Sequence, residues 1–293
     1  MVNFKGIGVA LITPFKSDFS IDFRALERIV NHIINGGVDY LVLLGTTSEV
    51  VTLSNEEKEA IVSYVKEINN GRVNLVIGIG GNNTRQIEST IFQTDFSGID
   101  GILSVAPYYN KPSQKGLYQH FRAIANASPV PIILYNVPGR TSSNIEADTC
   151  IKLANDFANI VAVKEASGNL AQVMKIIDNT SRDFLVISGD DLITLPIISI
   201  GGAGVISVLG NAFPEEWGEM VTKALKSNIS RASVLHYKYL KMIGLIFDEG
   251  NPAGIKATLS TMGLCNNIVR LPLTNVSRTT LTKITNTLED LKS

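Results

Sequence analysis

The sequence predicts an α/β fold: a closed (β/α)8 barrel followed by a small C-terminal helical domain. Three observations carry that expectation. Eight short runs of apolar, β-branched residues recur along the chain, stretches of helical periodicity fall between them, and beyond about residue 227 only helical periodicity remains. The runs are continuous rather than alternating, as in strands buried on both faces, so the sheet should be parallel. Eight regular units with no evident break favour closure, a TIM barrel, over an open doubly wound sheet.

The strands are expected at 6–12 (GIGVALI), 40–44 (YLVLL), 73–79 (VNLVIGI), 101–105 (GILSV), 131–135 (PIILY), 160–163 (IVAV), 184–188 (FLVIS) and 204–208 (GVISV). The opening MVNFKGIGVALITPF has no small-residue cleavage site after its apolar stretch and reads as the first strand, not a signal peptide. A helix over 22–35 follows from the spacing of Phe23, Leu26, Ile29, Val30, Ile33 and Ile34, with Gly36-Gly37 as its stop. Ser54 and Glu57 form a capping-box pattern that opens a helix over 55–69, closed by Gly71. The last barrel helix is expected near 214–226. Helices over 230–247, 252–262 and 275–292 follow, with Asn251 as cap and Pro252 at the first helical position of the second. The division is therefore a catalytic barrel over 1–226 and a helical appendage over 227–293. No Pro/Ser-rich linker separates them, so the appendage should pack on the barrel.

Composition narrows the function. Apolar residues make up 45 % and charged ones 18 % of 293 residues, the profile of a soluble globular protein. A net charge of −1 provides no field for nucleic acid, and no apolar run approaches the ~18 residues a spanning helix needs. Cys150 and Cys265 lie far apart without CxxC spacing, as expected of reduced thiols in a cytoplasmic protein. His32, His120 and His236 each lack a second ligand at i+4, so no metal site is expected.

In such a barrel the reactive groups stand at the carboxyl ends of the strands. Those ends read TPF (13–15), GTTSE (45–49), GGNN (80–83), PYYNKPS (107–113), YNVPGR (135–140), KEASGN (164–169), SGDD (188–191) and SVLGN (207–211). Hydroxyls abound there, with few metal ligands. Lys164 ends a buried run, and burial disfavours an ammonium, which suits imine formation with a keto acid. Tyr135 ends the preceding strand and offers a phenol for proton transfer. Thr46 and Thr47 offer hydroxyls to a carboxylate, and Arg140 a bidentate clamp. Taken singly, each also fits a blander role: a surfacing strand end, a core tyrosine, an ordinary turn, a surface arginine. GIGGNN (78–83) lacks the last glycine of GxGxxG, which argues against a dinucleotide. The GGAG run (201–204) is disfavoured as a phosphate site because Asp190 and Asp191 end the neighbouring strand.

With Lys164, Tyr135, the GTT turn, PYYNKPS and YNVPGR in register on these loops, the sequence resembles the dihydrodipicolinate synthase (4-hydroxy-tetrahydrodipicolinate synthase) family. The likeness runs from GVALITPF to RLPLT (270–274). That family sits among the pyruvate-dependent class I lyases and aldolases, with N-acetylneuraminate lyase; the lysine and the YN pair are shared across the group. The resemblance implies that Lys164 forms a Schiff base with pyruvate, with Tyr135 as proton donor and acceptor. Thr46 and Tyr109 would complete a proton relay, Tyr109 serving a neighbouring subunit. Thr47 and the backbone at Ile206 would hold pyruvate, and Arg140 the carboxylate of L-aspartate 4-semialdehyde. The product would be 4-hydroxy-tetrahydrodipicolinate, for diaminopimelate and lysine synthesis. A homotetramer built as a dimer of dimers is implied, with no cofactor.

Two departures bear on this. Ser48 stands where most relatives carry glycine; if the position needs φ > 0, Ser costs of order 1 kcal/mol. At the effector site of lysine-inhibited relatives, Lys58 and Gln86 match a histidine and a glutamate, while Asn82 and Tyr108 remain. A cation and a lost carboxylate should weaken a cationic effector, so lysine feedback is expected to be weak or absent. The rival readings are a sibling lyase of N-acetylneuraminate or a 2-keto-3-deoxy sugar acid, which would want polyol-binding groups in place of Arg140 and Tyr109, and a non-catalytic binding barrel.

Overall fold

A computed structural model describes residues 3–292. Eight parallel strands close into a barrel in the order β1 to β8. They are β1 (Gly6–Ala10), β2 (Tyr40–Leu43), β3 (Asn74–Gly78), β4 (Gly101–Val105), β5 (Ile132–Asn136), β6 (Ile160–Glu165), β7 (Leu185–Ser188) and β8 (Gly204–Ser207). Closure is made by β1 against β8, with Gly6 opposite Gly204. Both glycines have positive φ, and a Cβ on Gly204 would lie 1.9 Å from the Gly6 carbonyl oxygen, so the seam tolerates no side chain there.

Side chains alternate across each strand. Tyr40, Val42, Val76, Leu103, Ile133, Ala162, Ile187 and Ile206 pack with one another inside the barrel. Their neighbours Leu41, Leu43, Ile102, Leu134, Val163 and Val186 belong to the larger core shared with the helices. The sixth strand runs two residues beyond the expected 160–163, because its ladder continues through the pairs Tyr135–Lys164 and Asn136–Glu165. Lys164 is thus a strand residue, two positions from inward-facing Ala162.

Around the strands lie α1 (Phe23–Asn35), α2 (Asn55–Asn69), α3 (Thr84–Gln93), α4 (Gln114–Ala127), the short α5 (Pro138–Thr141), α6 (Ala147–Asp156), α7 (Leu170–Asn179), α8 (Thr194–Ser199) and α9 (Pro214–Leu225). The capping box of α2 is present in both directions: the Glu57 amide donates to Ser54 Oγ at 3.2 Å, and the Ser54 amide to Glu57 Oε2 at 2.9 Å. Its C-cap is Asn70 in a left-handed conformation, one residue before the expected Gly71.

The chain continues into α10 (Ile229–Asp248), α11 (Ala253–Thr261) and α12 (Arg278–Lys292). Fully buried Trp217 of α9 stacks on His236 of α10, and Phe213 meets Tyr239 at 4.9 Å. Truncating such an aromatic costs roughly 3–5 kcal/mol, which measures how firmly α10 is seated. The second of these helices begins at Ala253, one residue later than expected. The chain turns at Gly250 (φ +97), and Pro252, not Asn251, takes the cap position. From Ala253 to Leu259 every residue of α11 is buried, so this helix is wedged between its neighbours rather than laid on a surface.

Candidate active site

Period-two alternation decides where the reactive groups point. Ile133 and Ala162 face the barrel interior, so Tyr135 and Lys164, two residues on, face inward at its carboxyl end. The register sets them side by side, and Lys164 Nζ lies 4.3 Å from the centroid of the Tyr135 ring. Both side chains are buried, at 5 % and 6 % exposure. The amine therefore stands against a phenol in a place that water barely reaches.

Room for that lysine comes from Gly189, just after β7. A Cβ there would lie 3.0 Å from Lys164 Cε, 3.1 Å from its Cγ and 2.8 Å from Ala166 Cβ. Sequence reasoning noted the SGDD stretch but missed this glycine. The signal available was its position, one residue past a strand beside the lysine strand.

On the outward face of β5 and β6 the same register pairs Asn136 with Glu165. The Glu165 carboxylate, 1 % exposed, accepts from Asn136 Nδ2 at 3.0 and 3.2 Å, Gln172 Nε2 at 2.9 Å and the Ser167 amide at 2.7 Å. Asn144 joins Asn136 and Gln172, and the Asn136 side-chain oxygen Oδ1 accepts from the Ile145 amide at 2.9 Å. This network bolts the two strands together directly behind the lysine and the tyrosine, and it too was missed. Its signal was the polar residue following each: YN and KE.

The threonine loop leaves β2 as a 3-10 turn over Thr46–Ser48. Ser48 lies inside that turn, its hydroxyl donating to the Gly45 carbonyl at 2.7 Å. The left-handed residue is the next one, Glu49 (φ +55). Ser48 does not take positive φ, so the cost that condition would have carried does not arise.

Thr46 lines a cavity of about 300 Å³ together with Tyr108, Tyr135, Val137 and Arg140. Arg140 is exposed, and its guanidinium has no protein partner among the described residues. Thr47 is buried behind the cavity, its hydroxyl oxygen 3.0 Å from Asn251 Nδ2. Lys164 does not itself line that cavity but abuts Tyr135, which does. Ile206 is buried inside the barrel, and Tyr109 projects away from this chain, 91 % exposed with φ +69.

A second cavity of about 800 Å³ is lined by Lys58, Asn82 and Gln86, with Glu59, Lys66 and Asn83. It shares Leu44, Val50 and Gly78 to Gly80 with the first. The Tyr108 amide donates to Asn82 Oδ1 at 2.9 Å and so ties the two together.

The backbone amides after β8 are already engaged. Asp191, fully buried, accepts from the Val208 and Leu209 amides at 2.9 Å each, from Ser207 Oγ at 2.6 Å and from Trp217 Nε1 at 3.1 Å. Burial raises its carboxyl above the ordinary value despite these donors. It lies in a turn beyond β7 rather than ending that strand, yet it occupies the donors a phosphate would need. Among the described residues no group of three His, Cys, Asp or Glu side chains could hold a metal, and no helix is long and apolar enough to cross a membrane.

A closed parallel barrel with a buried amine beside a phenol at the carboxyl end of its strands is the framework of a lyase that works on carbonyl compounds. The profile of the dihydrodipicolinate synthetase family matches residues 3–291, and the chain belongs to that family. It is 54 % identical over 277 residues to the 4-hydroxy-tetrahydrodipicolinate synthase of Flavobacterium psychrophilum, covering 94 % of each chain. Among solved structures it is similar to the chloride-inhibited dihydrodipicolinate synthase of Acinetobacter baumannii complexed with pyruvate (36 % identity, TM-score 0.96, 99 % of both chains). It is also similar to that of Cyanidioschyzon merolae with lysine bound (38 % identity, TM-score 0.95, 99 % and 98 % coverage).

Proposed function

We propose that this chain condenses pyruvate with L-aspartate 4-semialdehyde to 4-hydroxy-tetrahydrodipicolinate, with Lys164 as the imine-forming residue. The observation that carries this reading is the buried Lys164 amine 4.3 Å from the Tyr135 ring. The neutral amine adds to the pyruvate carbonyl carbon, and loss of water gives the imine. Tyr135 supplies the proton that departs with the hydroxyl. The Tyr135 phenolate so formed takes a methyl proton to give the enamine, whose carbon bonds to the aldehyde carbon of the second substrate while Tyr135 protonates the aldehyde oxygen. The amino group of that substrate then adds to the imine carbon and expels Lys164, closing the ring. One water is lost overall.

Thr46, beside Tyr135 on the cavity wall, passes protons on, and Thr47 and the backbone at Ile206 hold the pyruvate carboxylate. Arg140, free of protein partners on that wall, takes the carboxylate of the semialdehyde. Tyr109, exposed here, completes the relay in a neighbouring subunit of a homotetramer. The barrel through residue 226 and the helices after it act as one cytoplasmic enzyme. The 800 Å³ cavity is the effector site, and with Lys58 and Gln86 on its wall it binds lysine weakly. Strong inhibition at sub-millimolar lysine would contradict that last point.

Incubation with pyruvate followed by borohydride should leave a reduced adduct on Lys164 by mass spectrometry, and Lys164→Ala should leave none. Turnover of the semialdehyde, followed by coupling to a reductase that consumes the product, then separates the synthase from sibling lyases. An adduct without semialdehyde turnover sinks the proposed substrate, and no adduct sinks the chemistry.

A further inference from the structure

Three side chains that follow the barrel reach back to the threonine loop. Asn251, ahead of α11, donates from Nδ2 to Thr47 Oγ1 at 3.0 Å; both side chains are buried. Lys256, inside α11, forms an ion pair with Glu49, and both are wholly buried. Its Nζ also donates to the Ile268 carbonyl at 2.9 Å and sits 4.1 Å above the Phe15 ring. Arg270 donates its backbone amide to the other Glu49 oxygen at 2.8 Å, and its guanidinium to the Thr52 carbonyl at 2.8 Å, the Phe19 carbonyl at 2.7 Å and the Glu57 carboxylate at 2.5 and 2.7 Å.

The loop these residues grip has little regular structure of its own. It consists of two short 3-10 turns, Thr46–Ser48 and Val50–Thr52, hinged on Glu49 in a left-handed conformation unfavourable to a side chain. A buried ion pair is a poor source of net stability, since desolvation offsets the attraction. What it does supply is one defined geometry for the residue on which both turns hinge. The Asn251 contact is specific in a second way. An amide that donates to Thr47 Oγ1 leaves the hydroxyl proton free to point elsewhere.

We propose that Asn251, Lys256 and Arg270 are positioning residues, which fix the Thr46–Glu49 loop and direct the Thr47 hydroxyl toward the substrate carboxylate. The helical segment then completes the pyruvate site instead of merely packing beside it. This rests on pyruvate binding at Lys164 as proposed above.

Asn251→Asp tests the hydroxyl. The shape is kept, but a carboxylate accepts from Thr47 and captures its proton. The pyruvate KM should rise tenfold or more with kcat changed less than threefold, and the borohydride adduct should still form at saturating pyruvate. Asn251→Ala should raise KM less than Asn251→Asp does. A KM within twofold of the parent in folded Asn251→Asp overturns the proposal.

The ion pair is tested without substrate. In Glu49→Gln/Lys256→Met both charges go, the mild case for folding, and the Gln amide oxygen still accepts from the Arg270 amide. Hydrogen exchange over 46–53 should quicken at least tenfold while β6 is unchanged; unaltered exchange in that loop overturns the clamp. Because this readout needs no pyruvate, a parent that gave no borohydride adduct would refute the Lys164 chemistry and leave the clamp still decided by exchange.

Discussion

Gly189→Ala places one methyl group against the proposed nucleophile. The added Cβ would lie 2.8 Å from Ala166 Cβ and 3.0 Å from Lys164 Cε, where carbon atoms ordinarily rest about 3.5–4.0 Å apart. The overlap is about 0.5–1 Å. Ala166 has no rotamer with which to yield, so the lysine methylenes must move, carrying Nζ off the Tyr135 ring. Overpacking of this size costs roughly 1–3 kcal/mol of stability. A displacement of about 1 Å at a reacting group costs on the order of a hundredfold in rate. We therefore expect the rate of borohydride-trappable imine formation to fall about 10- to 100-fold, with the fold retained. Gly244→Ala is the matched control, since a Cβ there has open space on the surface of α10. It should leave the trapping rate unchanged. If Gly189→Ala traps pyruvate as fast as the parent, Lys164 is not sterically seated as argued.

Tyr135→Phe keeps the ring beside Lys164 and removes only the hydroxyl, so kcat should fall by about 10²- to 10⁴-fold with little change in the unfolding midpoint. Glu165→Gln sets an amide N–H₂ against one of the four donor contacts on the carboxylate, at a cost of roughly 2–4 kcal/mol measured by urea unfolding. An unchanged midpoint there would mean the network behind β5 and β6 is dispensable. Burial of His120, whose Nδ1 lies 2.8 Å from Thr84 Oγ1, lowers its pKa to about 4. The folded value lies below the unfolded one, so its contribution is complete above pH ~6.5 and is lost as pH falls toward ~4, up to roughly 3 kcal/mol. Urea midpoints should drop more steeply with acid in the parent than in His120→Gln, and parallel slopes would contradict this.

The barrel was legible because parallel strands buried on both faces leave continuous apolar runs that little else produces. The Ser54–Glu57 cap was legible for a similar reason: two side chains at fixed spacing carry the whole motif. Lys164 and Tyr135 were legible as strand-end residues, and the alternation from Ala162 and Ile133 gives their direction. Gly189 was not, since its role is space left for a neighbouring strand's side chain, and an absent Cβ writes no pattern of its own. The left-handed Glu49 was not legible either, because which residue of a tight turn takes positive φ depends on buried partners 207 and 221 residues away in sequence. The contacts of Asn251, Lys256 and Arg270 were invisible for that same reason.

With the Asp191 carboxylate seated on the amides that follow β8, the barrel behaves as though one anion were permanently docked. A metabolite carrying a phosphate ester as its handle finds that socket taken by a group it cannot displace without unseating Trp217. The substrate-binding side chains proposed above lie instead on the β2 and β5 loops, an arrangement suited to small unphosphorylated acids rather than sugar phosphates.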